Sequence, residues 1–544
     1  MNLKDKVVYQ IYPKSFRDSN GDGYGDLNGI LEKLDYLQNL GIDYIWINPI
    51  FVSPQNDNGY DIEDYYAIDP RFGTMEDFEK LIKEAAKRNI YFMLDMVFNH
   101  TSTRHEWFQK ALQGDPEYKD RYIFRKGRDG QPPTNWESKF KGNAWEYVEE
   151  LDEYYLHLFH VTQADLNWKN PKVREEAANI VNFWIGKGIK GFRFDVINLI
   201  DKMCFEDDDE GDGRKFYVDG PHVYSYLADL NKQTFGKYED MITVGELSST
   251  TIEKCARYTS LDNTALSMAF NFHHLKVDID TKNRWAVIPF DFQELKSIFN
   301  EWQVKQEKHQ AWSALFWCCH DQPRILSRFG DDGKYRKESA KMLGTVIHMM
   351  RGTPYIYQGE EIGMGNPYFT SIDQYRDIDS VNSYYKMKEE GLSEEDCHRF
   401  LQYRSRDNAR TPMQWTADPD TGFSDAQPWI EVAKNYKEVN VMNALQDPDS
   451  VLYYYKELIR LRKQYQVIQS GSYYPIMEDH PTVFAYKRVY GDEVLAVYAN
   501  FYGKEEAITI DTDGYEILLS NVKRTNIEEA ITLKPYEVLV VLKK

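Results

Sequence analysis

The chain has 544 residues, of which 42% are hydrophobic and 28% are charged, a balance typical of a globular protein that can bury a large core. Its formal net charge of −21 repels the phosphates of nucleic acids and the anionic surfaces of membranes. We therefore expect neither a nucleic-acid partner nor a membrane partner.

Short apolar runs alternate with helical patterns through most of the chain, which predicts a parallel βα architecture. The first three runs begin at Val7, Ile42 and Ile90. The five that follow begin at Gly191, Ile242, Ser267, Ser313 and Gly352. Eight strands in this arrangement predict an α/β fold of the TIM (β/α)8 barrel type.

Local signals mark several helix boundaries. A helix over 27–40 has apolar residues at helical spacing and ends at Gly41. Thr74 and Asp77 have the spacing of a capping box, which predicts that the next helix begins there. A further helix is predicted over 172–184.

Two stretches depart from the alternating pattern. Residues 101–170 are rich in Trp, Tyr, Pro and charge, and because a structureless loop of that length is unusual, we expect a small inserted domain after the third strand. After about residue 470 short strands follow one another, with a hairpin at Gly491–Asp492. The predicted domains are the barrel over 1–100 and 171–470, the inserted domain over 101–170, and an all-β C-terminal domain over 471–544.

Polar side chains that suit sugar chemistry follow the predicted strands. In a TIM barrel the carboxyl ends of the strands form the rim that carries the active site. The residues at these ends are Asp95, Asn99, His100, Arg193, Asp195, Glu246, His320 and Asp321. Arg193 lies two residues before Asp195 on an alternating strand, so both side chains point to one face and the guanidinium can keep Asp195 ionised. A single carboxylate of this kind is more often structural, but the whole set supplies the acid and the carboxylate that glycoside hydrolysis needs.

These runs carry a family resemblance. DMVFNH, GFRFDVIN, TVGEL and CHDQPR resemble, in order, the four signature regions of the α-amylase family, glycoside hydrolase family 13, and QADLNW resembles its fifth region in the oligo-1,6-glucosidase branch. The resemblance implies a retaining α-glycoside hydrolase with Asp195 as nucleophile, Glu246 as general acid/base and Asp321 as the third carboxylate. It also implies that His100 and His320 bond hydroxyls of the glucosyl unit.

The same resemblance implies a pocket that is closed at the non-reducing end of the sugar. NGYDIEDYY places Tyr60 as a stacking ring and Asp61 as a hydroxyl ligand, and RDNARTPMQW places Arg410 as the arginine that pairs with that aspartate. We therefore expect exo-action. Val196 is the residue that relatives cleaving α-1,6 or unusual linkages carry after the nucleophile, although a β-branched residue filling a strand explains it equally well.

A glycine-rich run near the N-terminus resembles a calcium-binding loop. Oxygen-bearing side chains alternate with glycines in DSNGDGYGD, as in the loop of an EF-hand, although the flanking helices and the final glutamate are missing. The expected ligands of a structural Ca²⁺ are Asp18, Asn20, Asp22, the Tyr24 carbonyl and Asp26, and a plain glycine turn is the alternative. No organic cofactor is expected.

The substrate is expected to be a phosphorylated disaccharide. The runs FHHLKVD and CCHDQPR resemble the family branch that hydrolyses α,α-trehalose 6-phosphate to glucose and glucose 6-phosphate. A phosphate needs cationic partners, and Lys276, Lys282 and Arg284 follow the sixth strand, although each alone could be an ordinary surface residue. The alternative is an oligo-1,6-glucosidase or dextran glucosidase that acts on isomaltose-type linkages.

The remaining expectations concern location and assembly. The segment MNLKDKVVYQIYPKSF has no apolar core behind a basic start, and the chain has five cysteines, an odd number, so we expect a cytoplasmic protein. We also expect a monomer. Isomerases that share the pocket, and inactive family members that accompany transporters, are rivals; the latter lack catalytic carboxylates that this chain has.

Overall fold

The computed structural model describes residues 3–544, and eight parallel strands form a nearly closed barrel in it. The strands are β1 (Val8–Ile11), β2 (Tyr44–Ile47), β3 (Tyr91–Val97), β4 (Gly191–Asp195), β5 (Ile242–Glu246), β6 (Met268–Phe270), β7 (Ala314–Leu315) and β8 (Thr353–Tyr357). Their order in the sheet is β6-β5-β4-β3-β2-β1-β8-β7. Apart from β6 and β7, which are the two ends of the sheet, strands that follow one another in the chain lie side by side, and the predicted TIM barrel is confirmed.

The helices of the described chain fall mainly between these strands. Their bounds are Leu27–Glu32, Leu34–Leu40, Met75–Ala86, Glu106–Leu112, Pro116–Lys119, Pro171–Gly186, Arg214–Tyr217, Val223–Gln233, Ile252–Tyr258, Phe292–Lys308, Ile325–Phe329, Arg336–His348, Ile378–Glu389, Glu394–Arg404, Asp407–Arg410, Val441–Gln446, Val451–Gln464 and Gln466–Ser470.

Capping groups begin two of the predicted helices, and the sequence indicated the first of these caps. The Asp77 amide donates to Thr74 Oγ1 at 3.1 Å, and the Thr74 amide donates to Asp77 Oδ2 at 2.9 Å, so the capping box is formed. The helix predicted over 172–184 runs over Pro171–Gly186, with Asn170 as N-cap and proline at its first position.

The helix predicted over 27–40 is divided in two, which corrects the sequence-based prediction. Lys33 has φ −103° and ψ 4°, outside the helical region, and its amide donates to the Ile30 carbonyl three residues back. This tightened turn ends the first helix. Strand β7 is also shorter than the apolar run that predicted it, because ladder pairing is limited to Ala314–Leu315.

Two compact units are distinguished by their internal contacts. The first comprises Trp46–Lys83 and Tyr91–Phe272, and the second comprises 3–45, Glu84–Ile90 and His273–Lys544. Within the first unit, residues 101–170 carry a three-stranded sheet of Phe124–Arg125, Glu153–Leu156 and Trp145–Val148. A separate two-stranded pair joins His100–Ser102 to Gln163–Asp165. The predicted domain boundaries stay predictions.

The C-terminal part of the second unit is all β. A five-stranded sheet joins Ser472–Ile476, Val483–Tyr490, Glu493–Asn500, Val538–Lys543 and Tyr515–Ser520 in that order, and Glu506–Thr509 pairs with Ala530–Leu533. Tyr490 pairs with Glu493, so Gly491 and Asp492 form the two-residue hairpin that the sequence predicted. Gly491 has φ 58°, which glycine adopts without strain.

Candidate active site

One buried arginine gathers three carboxylates at the ends of neighbouring strands in the first unit. Arg193 Nη1 lies 2.6 Å from Asp95 Oδ1 and 2.7 Å from Asp195 Oδ1. Its Nη2 donates to Glu246 Oε2. The side chain of Arg193 is 2% exposed, and its register partner on β3 is Asp95. Asp195 and Glu246 are therefore bound by the two terminal nitrogens of a single planar group.

The charge balance of this cluster favours the presence of a proton. Three carboxyl groups share one guanidinium, so full ionisation leaves excess negative charge in a buried place. Burial raises the pKa of Asp95, although Arg193 acts against the rise. For Arg193, burial alone would lower the pKa, but Asp95 and Asp195 raise it well above the usual value. A site of this kind can hold one carboxyl group protonated beside an ionised one.

Tyr60 and Trp46 hold Asp95 in place as a structural member of the cluster around Arg193. The Tyr60 hydroxyl donates to Asp95 Oδ2 at 2.8 Å, and Trp46 Nε1 donates to the same oxygen at 3.0 Å. With Arg193 on Oδ1, both oxygens of Asp95 are engaged. The Tyr60 ring also lies 5.7 Å from the Arg193 guanidinium, so Tyr60 contributes to holding the cluster, and the sugar stacking expected of it stays a prediction.

Asp61 is enclosed by its own loop. It is fully buried and accepts hydrogen bonds from Ser53 Oγ at 2.9 Å and from the amides of Asn56 at 2.9 Å and Asp57 at 3.2 Å. Burial raises the pKa of this carboxyl group. The pairing of Asp61 with Arg410 stays a prediction.

His100 is a buried, neutral imidazole. Its Nε2 lies 3.0 Å from the Tyr60 carbonyl and its Nδ1 lies 3.1 Å from Asn99 Nδ2. Burial lowers the pKa of His100 to about 4. The ring is therefore uncharged at neutral pH and carries a single N–H hydrogen.

The residue after Asp195 has a strained backbone. Val196 has φ 35° and ψ 40°, a left-handed conformation that is a genuine outlier for a β-branched residue and costs on the order of 1–3 kcal/mol. Its side chain is buried in an apolar cluster that includes Trp136, Leu158 and Tyr217. The cluster holds the turn at the end of β4, a detail that the interpretation of Val196 as a strand-filling residue did not anticipate.

The second unit holds the predicted residues that follow β7. Asp321 Oδ1 lies 3.0 Å from Arg410 Nη2 and 3.2 Å from Arg406 Nη1, and its Oδ2 lies 3.2 Å from His320 Nε2. The Gln10 amide nitrogen lies 2.9 Å from His320 Nδ1. Gln10 therefore contacts the Nδ1 side of the His320 ring, while Nε2 faces Asp321.

Sequence reasoning missed Arg406 and Gln10 as members of this site. Arg406 stands in the same RDNARTPMQW run as Arg410, and both arginines also contact Asp377. The run therefore contained the signal for Arg406. Gln10 lies on β1, and nothing in the local sequence connected it to His320.

An arginine-rich pocket adjoins Asp321 in the second unit. The pocket has a volume of about 170 Å³ and its charged lining consists of four guanidinium groups and two carboxylates. The charged residues are Arg284, Arg328, Arg404, Arg406, Asp321 and Asp379. Of the three cations predicted to bind phosphate, Arg284 lines the pocket and forms an ion pair with Asp379, whereas Lys276 and Lys282 are exposed and do not line it.

The side-chain oxygens of the glycine-rich loop accept hydrogen bonds, mostly from amides of the loop itself. Asp18 accepts from the amides of Asn20, Gly21 and Gly23 and from Ser424 Oγ. Asp26 caps the helix that follows and accepts from Gly29.

The remaining predicted ligands show the same local bonding. Asn20 accepts from the Asp22 amide and Asp22 accepts from the Tyr24 amide. Within residues 3–544, no three His, Cys, Asp or Glu side chains come together as a metal site would require. Calcium binding by this loop stays a prediction.

The chain belongs to the α-amylase family, glycoside hydrolase family 13, as the sequence runs predicted. The family model described as "Alpha amylase, catalytic domain" matches residues 10–471. The model described as "Alpha-amylase SusG C-terminal domain" matches residues 483–540. By family membership the protein is a glycoside hydrolase.

Individual relatives are similar over the whole chain. Trehalose-6-phosphate hydrolase of Bacillus subtilis (strain 168) is 54% identical over 546 residues, which cover 99% of this chain and 97% of that protein. Oligo-1,6-glucosidase of Bacillus cereus is 49% identical over 550 residues, which cover 99% and 98%. The crystal structure of Bacillus licheniformis trehalose-6-phosphate hydrolase matches with a TM-score of 0.96 at 54% identity, covering 100% of both chains.

Proposed function

We propose that the protein is a retaining, exo-acting α-glucosidase that hydrolyses α,α-trehalose 6-phosphate to glucose and glucose 6-phosphate. Asp195 attacks the anomeric carbon and forms a β-glucosyl-enzyme, while Glu246 protonates the leaving oxygen and then activates water. Retaining hydrolysis uses two carboxyl groups roughly 5 Å apart. The sharing of one guanidinium by Asp195 and Glu246 supports this arrangement. Asp321 and the histidines bond the hydroxyls of the glucosyl unit.

The observation that carries the choice of substrate is the arginine-rich pocket beside Asp321. The chain as a whole has a net charge of −21, yet four guanidinium groups line one pocket of about 170 Å³. A single planar guanidinium group can donate two parallel, charge-assisted hydrogen bonds to two phosphate oxygens. The phosphate of a phosphorylated leaving sugar can bind these guanidinium groups. Isomaltose carries no charged group that could bind them.

Arg284 is the arginine best placed to exchange partners when a phosphate arrives. Its side chain is 44% exposed, and its ion-pair partner is Asp379. Arg328 and Arg404 are nearly buried and share Asp278. They supply the positive potential behind the pocket, while the exposed guanidinium can turn from Asp379 to a phosphate.

Initial rates on trehalose 6-phosphate, trehalose and isomaltose, measured side by side, test the proposal. The expected result is a kcat/KM for trehalose 6-phosphate that exceeds both others by at least about tenfold, since a single charge-assisted hydrogen bond contributes about 1.5–3 kcal/mol. A higher kcat/KM for isomaltose would establish the oligo-1,6-glucosidase alternative, which the relative at 49% identity also supports.

Replacing Arg284 by glutamine is expected to lower kcat/KM for trehalose 6-phosphate by about 10- to 100-fold, because a fork of charge-assisted bonds to the phosphate is lost. The rate on isomaltose is expected to stay within about twofold. The matched control is Lys276→Gln/Lys282→Gln, which removes two exposed cations outside the pocket lining. A large loss in the control with none in Arg284→Gln would place the phosphate on the rim loop instead.

We also propose a cytoplasmic monomer, since a phosphorylated disaccharide is retained within the membrane that encloses it. Within residues 3–544, no helix has the length and apolar character that crossing a membrane requires. The calcium site remains part of the proposal: Asp22 and Asn20 are exposed oxygen donors in the loop. Cell fractionation, sedimentation and the calcium content of the purified protein test these three statements separately.

A further inference from the structure

A chain of buried polar contacts connects Lys202 to His100 within the first unit. Lys202 is 3% exposed, and its Nζ lies 2.7 Å from Asn99 Oδ1 and 2.6 Å from Asp165 Oδ1. Asn99 Nδ2 lies 3.0 Å from Asp165 Oδ1 and 3.1 Å from His100 Nδ1. Lys202 therefore reaches the imidazole through Asn99. None of the contacts described for His100 involves Lys202 directly.

The two charged neighbours leave the Asn99 amide a single favourable orientation. A lysine ammonium only donates hydrogen bonds, so the group of Asn99 that faces Lys202 must be the oxygen. A carboxylate only accepts, so the group that faces Asp165 must be the NH2. Turning the amide over would place its nitrogen against the ammonium and its oxygen against the carboxylate, at the cost of two buried polar groups without partners.

The orientation of Asn99 and the Tyr60 carbonyl both place the proton of His100 on the same ring nitrogen. The amide NH2 faces His100 Nδ1, so Nδ1 accepts and Nε2 carries the hydrogen. Nε2 lies 3.0 Å from the Tyr60 carbonyl, which can only accept. Gln163 Nε2 is 3.2 Å from the same ring nitrogen but also contacts Asp57 Oδ2 at 3.1 Å and the Tyr60 carbonyl at 3.2 Å, which take up its two hydrogens.

We propose that Lys202 is a positioning residue for the glycosidase reaction: acting through Asn99, it holds His100 as the neutral imidazole that is protonated at Nε2. In this form the hydrogen on Nε2 is donated to the Tyr60 carbonyl, which fixes the ring in the position from which His100 contacts the bound glucosyl unit. The inference rests on the proposed function, in which His100 contacts that unit. It assigns a catalytic consequence to a lysine that does not touch the substrate.

The charges around His100 agree with this assignment. Burial is the main cause of its low pKa; Asp165 acts to raise the pKa and Lys202 acts to lower it. Asp57 faces the ring only through Gln163. Removing the ammonium leaves the Asp165 carboxylate without its cation, so the charged imidazolium becomes easier to form.

The test is made on the full-length protein with Lys202→Met and with Lys202→Met/Asp165→Asn, which removes both charges and guards against unfolding caused by an unpaired buried carboxylate. Exposed Lys169→Met is the matched control. Histidine labelled with ¹⁵N reports the tautomer and the protonation of the ring directly, and His100→Gln assigns its signals among the 12 histidines.

In the wild type and in Lys169→Met, we expect His100 to show only the Nε2–H tautomer and to remain neutral down to pH 5. In Lys202→Met we expect the pKa of His100 to rise, so that the imidazolium form appears at a higher pH than in the wild type. In the folded double variant we expect a mixture of His100 tautomers. We also expect kcat/KM to be about tenfold lower than in the wild type, and this loss should be nearly the same for substrates with different leaving groups.

A double variant that melts like the wild type, retains the single Nε2–H tautomer and loses no activity would overturn the proposal and leave Lys202 a purely structural residue. The NMR readout requires no substrate. Failure of the positioning role is therefore distinguishable from failure to hydrolyse trehalose 6-phosphate, which the rate comparison on the three sugars reports.

Discussion

Replacing Asp195 by alanine is expected to lower kcat/KM for trehalose 6-phosphate by about 10⁴-fold or more, because the covalent glucosyl-enzyme can no longer form. The fold should survive, since the variant removes one of three carboxylates that share Arg193 and thereby lowers the excess negative charge. Thermal unfolding is expected to occur at an equal or higher temperature. Steady-state rates and a melting curve on the same sample separate the two effects.

Azide provides a positive control for this loss. A small anion can enter the space left by the Asp195 carboxylate and attack the same face of the sugar, so Asp195→Ala with an activated α-glucoside and azide should form β-glucosyl azide. Formation of the α-azide, or activity close to that of the wild type, would remove Asp195 from the role of nucleophile.

Replacing Glu246 by glutamine is expected to have an effect that depends on the leaving group. A sugar leaving group needs a proton from the acid, so kcat/KM for trehalose 6-phosphate should fall by about 10²–10⁴-fold. An aryl α-glucoside with a good leaving group needs little protonation and should lose far less in the first step. Its second step should slow, because no base activates water, and a burst of aryl product should become visible.

The comparison with Asp195→Ala makes this prediction specific. Asp195→Ala should lose activity on both kinds of substrate, whereas Glu246→Gln should spare the first turnover of the aryl glucoside. Both residues contact Arg193, so a general disturbance of the cluster predicts the same profile for the two variants. Equal losses on both substrates in both variants would contradict the assignment of Glu246 as the acid.

The barrel and the polar site residues at its strand ends could be predicted from the sequence because their signals are local. An apolar run followed at once by a polar side chain marks each strand end, as GFRFD does for β4. The capping box at Thr74 is equally local, since both of its partners lie within one helical turn. The helix over 27–40 shows the limit of such signals, because its apolar spacing continues through the break at Lys33.

The arginine-rich pocket could not be predicted because its members come from distant parts of the chain. Arg284, Arg328 and Arg404 lie on three separate segments, and only the folded chain places them around one cavity. The sequence instead indicated three cations close together after β6 as the phosphate ligands, namely Lys276, Lys282 and Arg284. Of these three, the structure brings Arg284 into the pocket lining.

The link between Lys202 and His100 was hidden for the same reason. Lys202 and Asn99 are separated by 103 positions in the chain, and no spacing rule connects them. The identity of Asn99 as part of DMVFNH was visible, but the direction of its amide depends on which charges surround it. Polar networks of this kind become readable only when donors and acceptors can be counted in the structure.

The hydrolysis of trehalose 6-phosphate in H₂¹⁸O, followed from the first seconds by ¹H NMR and mass spectrometry, tests the central claim most directly. Retention with the phosphate on the leaving side predicts that α-glucose appears before its β anomer, that ¹⁸O enters glucose, and that the oxygen on C1 of newly released glucose 6-phosphate is unlabelled. β-Glucose as the first anomer would contradict the retaining mechanism, and label entering glucose 6-phosphate during cleavage would contradict the placement of the phosphate in the arginine-rich pocket.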